Sequence, residues 1–305
     1  MLRKIRLIAA TLCFVLITLL FLDFTGTLHG WFGWLAKIQF LPAVLALNVG
    51  VVLFLVLLTL AFGLVYCSMI CPLADFQDVI ARIGRRGKKL PYSYSPALSW
   101  LRYGVLFVFV LALVAGVGSL VALLAPYSAY GRIANNLFQP LWMWGNNLFA
   151  YLAARVESYA FYEVDVWMKS LPTFLVALAT LVVLVVLAWR NGRTYCNTIC
   201  PVGTVLGFIS RYSLYRVTID TDKCNSCGLC ARQCKAACID SKEHKIDGSR
   251  CVACMNCLDT CRKNALTYAP VWKTKKQATG TEKPEPEDKT NLSRRRALSA
   301  TALVM

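Results

Sequence analysis

The sequence predicts an all-α membrane bundle of four transmembrane helices, arranged as two pseudo-repeated hairpins, followed by a small α+β domain. Three observations predict it. Hydrophobic residues make up 57% of the 305-residue chain and come in long uncharged blocks, a membrane composition rather than a globular one. The stretch Tyr-Cys-x-x-Ile-Cys-Pro is written twice, at 66–72 and 195–201. Beyond about residue 216 the apolar runs stop and cysteines crowd in.

The spans come first. A hydrocarbon core needs roughly 20 apolar residues in a helix. Four stretches reach or approach that length: Leu7 to Leu22, then the uncharged runs between Lys37 and Asp75, between Arg102 and Arg132, and between Lys169 and Arg190. The first is the shortest and follows the basic start Met-Leu-Arg-Lys-Ile-Arg, as a signal peptide would. No small-residue cleavage site follows it, and the apolar character continues through Trp31 to Trp34. A retained span is therefore expected. Cys13 inside it reads as a small packed apolar residue.

The net charge of +17 does not point to nucleic acid, because of where the charge lies. Arg3, Lys4 and Arg6, the run at 81–89, then Arg190, Arg193, Arg211 and Arg216 all flank spans on one side. The opposite loops, 23–43 and 126–169, carry few charges of mixed sign. That is the positive-inside asymmetry. It predicts a multi-pass protein of the bacterial inner membrane, with the N-terminus, the 67–101 loop and everything after 190 in the cytoplasm.

The repeat comes next. Tyr66, Cys67, Ile70, Cys71 and Pro72 recur 129 residues later as Tyr195, Cys196, Ile199, Cys200 and Pro201. Duplication of a two-helix unit over residues 1–215 accounts for this. With cysteines at i and i+4, each pair is expected on one helix face, a turn apart, with proline ending the helix. Three readings are open for Cys67, Cys71, Cys196 and Cys200. They ligate a third metal centre, iron–sulfur by the chain's general chemistry; they cycle as redox dithiols; or they only pack.

The 126–171 loop is rich in Trp, Tyr, Phe and Asn and is expected to lie along the outer surface. Interfacial aromatics explain its composition. The alternative is a quinol or partner site at which Glu163, Asp165 or His29 takes protons.

The cysteine-rich segment is 216–270. Residues 224–234 read Cys-x2-Cys-x2-Cys-x3-Cys, and residues 251–261 repeat that spacing. Cytoplasmic cysteines are seldom disulfide-bonded, and eight in two such runs are the ligand pattern of a two-cluster ferredoxin. In that pattern the fourth cysteine of each run serves the other cluster. Cys224, Cys227, Cys230 and Cys261 are then assigned to one [4Fe–4S] cluster, and Cys251, Cys254, Cys257 and Cys234 to the second. Structural zinc would use two Cys-x2-Cys pairs instead. Gly228 suits a close backbone approach to cluster sulfur, and Cys238 reads as a packed thiol. Residues 271–292 read as a solvated linker. Residues 293–305, beginning Ser293-Arg294-Arg295-Arg296, resemble the start of a twin-arginine export segment.

Taken together, the doubled Tyr-Cys-x-x-Ile-Cys-Pro, the four spans and the two-cluster segment resemble the NapH-type membrane ferredoxins. These are relatives of the membrane half of NosR and of FixG/CcoG proteins. The resemblance covers about 1–270. It implies an electron-transfer subunit of a quinol dehydrogenase that takes electrons from menaquinol or ubiquinol and delivers them to a partner iron–sulfur or other redox protein. In NapH systems the partner is an exported iron–sulfur protein, so the 293–298 segment also resembles the start of a fused H–G product. The alternative is an assembly or maturation factor whose cluster-fed dithiols reduce a metal ion or a client disulfide.

Overall fold

The computed structural model describes residues 2–23, 25–86, 92–155, 162–166 and 170–272. Residues 1–269 form one compact unit. Most of the linker at 271–292 and all of the tail at 293–305 lie outside the described residues.

This unit is mostly helical. Helix α1 (Leu2–Leu22) is followed by two short helices, α2 (Thr27–Phe32) and α3 (Trp34–Lys37), then by α4 (Phe40–Leu45), α5 (Val49–Phe62), α6 (Val65–Met69) and α7 (Pro72–Arg86). Next come α8 (Ser99–Val114), α9 (Gly118–Leu124), α10 (Pro126–Ile133), a π-helical turn (Ala134–Phe138) and α11 (Gln139–Ala154). The helical part ends with α12 (Leu171–Asn191), α13 (Thr194–Thr198) and α14 (Pro201–Ser210).

Among the described residues two helices, α1 and α12, are long and apolar enough to cross a bilayer, at 21 residues each. The other two expected spans are shorter: α5 has 14 residues and α8 has 16. Their apolar runs continue in sequence but reverse in space. Between α4 and α5 the chain turns at Leu47 (φ 52°), with Asn48 N–H bonded to Ala43 O at 2.9 Å. Between α8 and α9 it turns at Gly116 (φ 71°), with Val117 N–H bonded to Ala112 O at 2.9 Å. Both are left-handed helix stops that satisfy the terminal carbonyls locally. An uncharged run in sequence does not report such a turn, because every turning residue here is itself apolar or small.

The repeat is visible in the backbone. α5, α6 and α7 recur as α12, α13 and α14. Gly63 (φ 78°) stops α5 and Gly192 (φ 74°) stops α12, at the same 129-residue offset. Gly192 also sits where a Cβ would meet Lys235 O at 2.8 Å, so a side chain there is excluded twice, by φ and by space.

Part of the 126–171 loop departs from its expected surface position. α10 is buried, with Ala129, Tyr130 and Ile133 fully covered, and it packs on α7 and α12. Tyr130 meets Phe14, Phe21 and Phe76 edge-on or tilted, and its hydroxyl lies 2.6 Å from Thr18 Oγ1. Its aromatics are core, which composition alone does not separate from an interfacial belt.

The cysteine-rich part adds β1 (Tyr215–Ile219), α15 (Leu229–Arg232), β2 (Ile239–Asp240), β3 (Lys245–Ile246), α16 (Asn256–Thr260) and β4 (Leu266–Pro270). β1 pairs with β4. β2 and β3 form an antiparallel pair with Ile239 opposite Ile246. Leu214 N–H reaches Leu60 O at 2.8 Å, and Arg102 reaches Ser249 Oγ at 3.2 Å, so this part is built onto the ends of α5 and α8.

Candidate iron–sulfur centres

The two cysteine runs fold alike. Each makes a loop and then a short helix, α15 or α16. Three left-handed residues recur at an offset of 27: Ser226 with Ala253, Gly228 with Met255, and Ala237 with Asn264. A non-glycine residue at positive φ costs about 1–3 kcal/mol and persists only where its surroundings impose it. Turns of this kind gather successive N–H groups into the anion-binding concavity found at iron–sulfur sites. Gly228 has a backbone rationale as well. Its φ of 71° favours glycine on its own, and the nearest protein atom to a Cβ there would be Ser241 Oγ at 3.6 Å.

The eight cysteines separate into two cavities. One, of about 240 Å³, is lined by Cys224, Cys227, Cys230 and Cys261. The other, narrower, is lined by Cys234, Cys251, Cys254 and Cys257. Each fourth cysteine thus stands with the other run's triplet. Cys238 lines the second cavity too, buried to 1% exposure, with its sulfur 3.5 Å from that of Cys234.

The paired motifs differ in one respect from the expected single helix. α6 stops at Met69 and α7 begins at Pro72, so Cys67 and Cys71 flank a break between two helices. Tyr66 O closes the break by accepting from Ile70 N–H at 2.9 Å and Cys71 N–H at 3.1 Å. Tyr195 O does the same for Ile199 and Cys200, both at 3.0 Å. Cys200 caps α14, its sulfur accepting from Gly203 N–H at 3.3 Å. Cys196 sulfur accepts from the fully buried Gln77 amide at 3.3 Å.

All four thiols are at most 7% exposed and close enough to interact electrostatically. Burial pushes the thiols of Cys196 and Cys200 upward. Among the described residues no group of three or more His, Cys, Asp or Glu is arranged as for a single metal ion. A cubane cluster holds its ligand sulfurs wider apart than a single ion does.

An ion network joins the motifs to the second cavity. Asp78 takes a bidentate contact from Arg193 at 2.8 and 2.9 Å, and one from Lys235 at 2.9 Å. Arg193 also donates to Cys67 O at 2.8 Å, and Arg6 to Ser68 Oγ at 2.7 Å. Burial opposes ionisation of Asp78, but Arg193 and Lys235 outweigh it and hold its carboxyl well below the usual range. Asp75 sits at the edge of the network, 3.8 Å from Arg193, with one oxygen unpartnered. Burial pushes it up to about 7. Backbone contacts follow the same line: Arg193 N–H to Lys235 O at 3.1 Å, and the Asn197 amide to Ala236 O at 2.8 Å. The sequence reading counted Arg6 and Arg193 as orientation charges and did not foresee that they meet Asp78. The available signal was two acids, Asp75 and Asp78, immediately after an otherwise uncharged motif.

A further cavity of about 340 Å³ lies between the two turning points. It is almost wholly apolar, with walls that include Leu41, Leu45, Leu113, Val121 and Ala122, and Tyr127 and Ser128 at its edge. Both motif tyrosines bond to residues that neighbour its lining in sequence, Leu124 beside Ala125 and Phe40 beside Leu41. Tyr195 hydroxyl donates to Leu124 O at 3.3 Å, and Tyr66 hydroxyl donates to Gln39 Oε1 at 2.9 Å and accepts from Phe40 N–H at 3.2 Å. His29, Glu163 and Asp165 are exposed and do not line it.

The chain matches a family described as a 4Fe-4S binding domain over residues 44–91 and 173–218. Those two stretches hold the paired motifs. An uncharacterized protein of Methanocaldococcus jannaschii is 33% identical over 104 residues, 34% of this chain and 42% of that one. The putative electron transport protein YccM of Escherichia coli is 23% identical over 75% of this chain and 57% of its own. The ferredoxin-type protein NapH of Escherichia coli is 27% identical over 76% of this chain and 70% of its own. The chain thus spans about half the length of the first two. No solved structure matches it.

Proposed function

The chain belongs to the NapH-type family of ferredoxin-type proteins, and from that premise we propose that it is a membrane iron–sulfur protein carrying electrons from a lipid-soluble quinol to a redox partner. One observation carries the reading. The second motif touches the loop of the second cysteine cavity through two hydrogen bonds, Arg193 to Lys235 O and Asn197 to Ala236 O. On this reading the apolar cavity, the four buried thiols and the two cysteine-lined cavities form one series, and these two bonds support its middle step.

On this reading Cys224, Cys227, Cys230 and Cys261 hold one [4Fe–4S] cluster, and Cys234, Cys251, Cys254 and Cys257 the second. Cys67, Cys71, Cys196 and Cys200 hold a third iron–sulfur centre. The clusters supply one-electron carriers whose potentials respond to charge and sulfur hydrogen bonds. The chain's own residues do the rest. Arg6, Arg193 and Lys235 place positive charge between the thiol site and the second cavity. Gln77 and Gly203 donate to thiolate sulfur. The apolar cavity receives the quinol, which loses two electrons and two protons as it becomes quinone.

The maturation alternative asks the paired thiols to meet a client. Their burial counts against it, since buried thiols in apolar surroundings are poor nucleophiles. On the electron-transfer reading Cys238 packs beside the second cluster without ligating it. Cys238→Ala is expected to retain the wild-type iron and acid-labile sulfide; loss of about four irons would make it a ligand instead.

The functional test is reduction of the purified protein by menaquinol and ubiquinol analogues, followed by EPR. Ala122→Phe, which fills the apolar cavity, is expected to slow quinol reduction by about tenfold or more, because overpacking a site excludes its ligand. Dithionite should still reduce the variant fully. Quinol reduction at the wild-type rate would remove the cavity from the pathway, and no quinol reduction of the wild type would remove the function.

A further inference from the structure

A second cavity of about 340 Å³ lies where the 92–98 segment, the end of α12 and the loop after Cys234 meet. Its character is opposite to that of the apolar one. Arg190, Arg250, Ser93, Ser95, Asn191 and Thr194 line it, and no carboxylate does. Its wall is held in shape. Tyr92 N–H bonds Arg232 O at 3.1 Å, and Ser95 N–H bonds Ala237 O at 3.3 Å. Arg250, 4% exposed, is fixed by Asp247 at 2.7 Å and by Ser95 O at 2.9 Å. Arg190 is exposed and makes no ion pair among the described residues.

The position of this cavity is set by two apolar helices that end there. Arg190 is in the last turn of α12, and Leu98 immediately precedes α8. Trp100 is 89% exposed and Trp189 46%, and indoles favour the headgroup layer. A cavity of this size is in the range that holds a small ligand, and a guanidinium with nearby hydroxyls suits a phosphate ester.

We propose that this cavity binds the phosphodiester headgroup of an anionic phospholipid, with Arg190 supplying the free charge and Arg250, Ser93, Ser95 and Thr194 the polar wall. The inference rests on the membrane placement proposed above. The bound headgroup pins the 92–98 segment, and through Ala236 and Ala237 the second cysteine loop, to the bilayer surface. A soluble phosphate would offer the same charge without the anchorage.

The test uses the full chain in phosphatidylcholine nanodiscs containing a minor share of phosphatidylglycerol. Native mass spectrometry should find phosphatidylglycerol retained over phosphatidylcholine. Arg190→Gln should weaken that retention by about tenfold, the effect of losing one charged hydrogen bond, whereas Arg211→Gln, outside the cavity, should not. Hydrogen exchange in residues 92–98 should slow with phosphatidylglycerol in the wild type only. Equal retention of both lipids, or unchanged retention in Arg190→Gln, overturns the site. Competition by millimolar inorganic phosphate as strong as by dioctanoyl phosphatidylglycerol overturns the lipid assignment in favour of free phosphate. Carbonate extraction separates the two levels. If the chain leaves the membrane fraction, the membrane placement fails; if it stays but shows no headgroup preference, only this site fails.

Discussion

Replacing Cys67 and Cys196 together with serine is expected to remove about four of about twelve irons and one of three EPR-active centres. The basis is the burial of all four motif cysteines beside one another. A thiol that burial has pushed upward, as at Cys196 and Cys200, stays protonated and inert unless a metal draws off its proton, as coordination does. The matched 4Fe-4S binding stretches, 44–91 and 173–218, coincide with these motifs and not with the 224–261 run. The variant should keep the two remaining clusters and their reduction by dithionite, but lose reduction by quinol, because the step between the apolar cavity and Cys234 is cut. Eight irons in both proteins, with quinol reduction intact, would return the motifs to packing or thiol chemistry.

The second large effect concerns Asp78. Three cations, Arg6, Arg193 and Lys235, converge on it at 3.4, 2.8 and 2.9 Å, and the Arg193 side chain has no exposed surface. Removing one partner of a buried pair leaves the other charge uncompensated, at a cost of about 3–5 kcal/mol. Asp78→Asn is therefore expected to lower the apparent Tm of the detergent-purified protein by several degrees, and Arg193→Met by a similar amount. Unchanged melting in both would show that the cluster is hydrated. The pH dependence has a definite sign. The Asp78 carboxyl is depressed in the folded protein, so its contribution is present above the unfolded range near about 4 and is lost as pH falls through the folded value. Asp75 works the other way. Its folded form holds a proton up to about 7, so stability falls as pH rises from about 4 to about 7. Asp75→Asn should abolish that fall, which melting curves across that range would reveal.

Much of this was legible in the residues, and the parts that were not share a cause. The duplication was readable because cysteine and proline are rare enough to mark an offset, and the structure repeats it at Gly63 and Gly192. The grouping of the eight ferredoxin cysteines into two sets of four was expected from spacing, and the two cavities group them alike with Cys238 added to the second. What escaped was long-range geometry. Nothing local distinguishes the apolar turn at Leu47 from continued helix, so a two-segment hairpin reads as one span. Nothing in the spacing of Asp78, Arg193 and Lys235 announces that they meet. The aromatic content of α10 fits a buried helix as well as an interfacial one, and only its neighbours decide.

If the chain sits in the membrane as proposed, the turns at Leu47 and Gly116 have a consequence for the surrounding lipid. At 1.5 Å per residue α5 rises about 21 Å and α8 about 24 Å, against a hydrocarbon thickness of about 30 Å. α1 and α12 match the full thickness, so one protein presents two hydrophobic lengths. Such a mismatch is relieved by local thinning of the bilayer on the short side. In that placement the apolar cavity between the two tips would face a thinned region where acyl chains are least ordered. Membrane thickness, set by chain length in reconstituted vesicles, becomes a variable that tunes how readily a long-tailed electron donor enters.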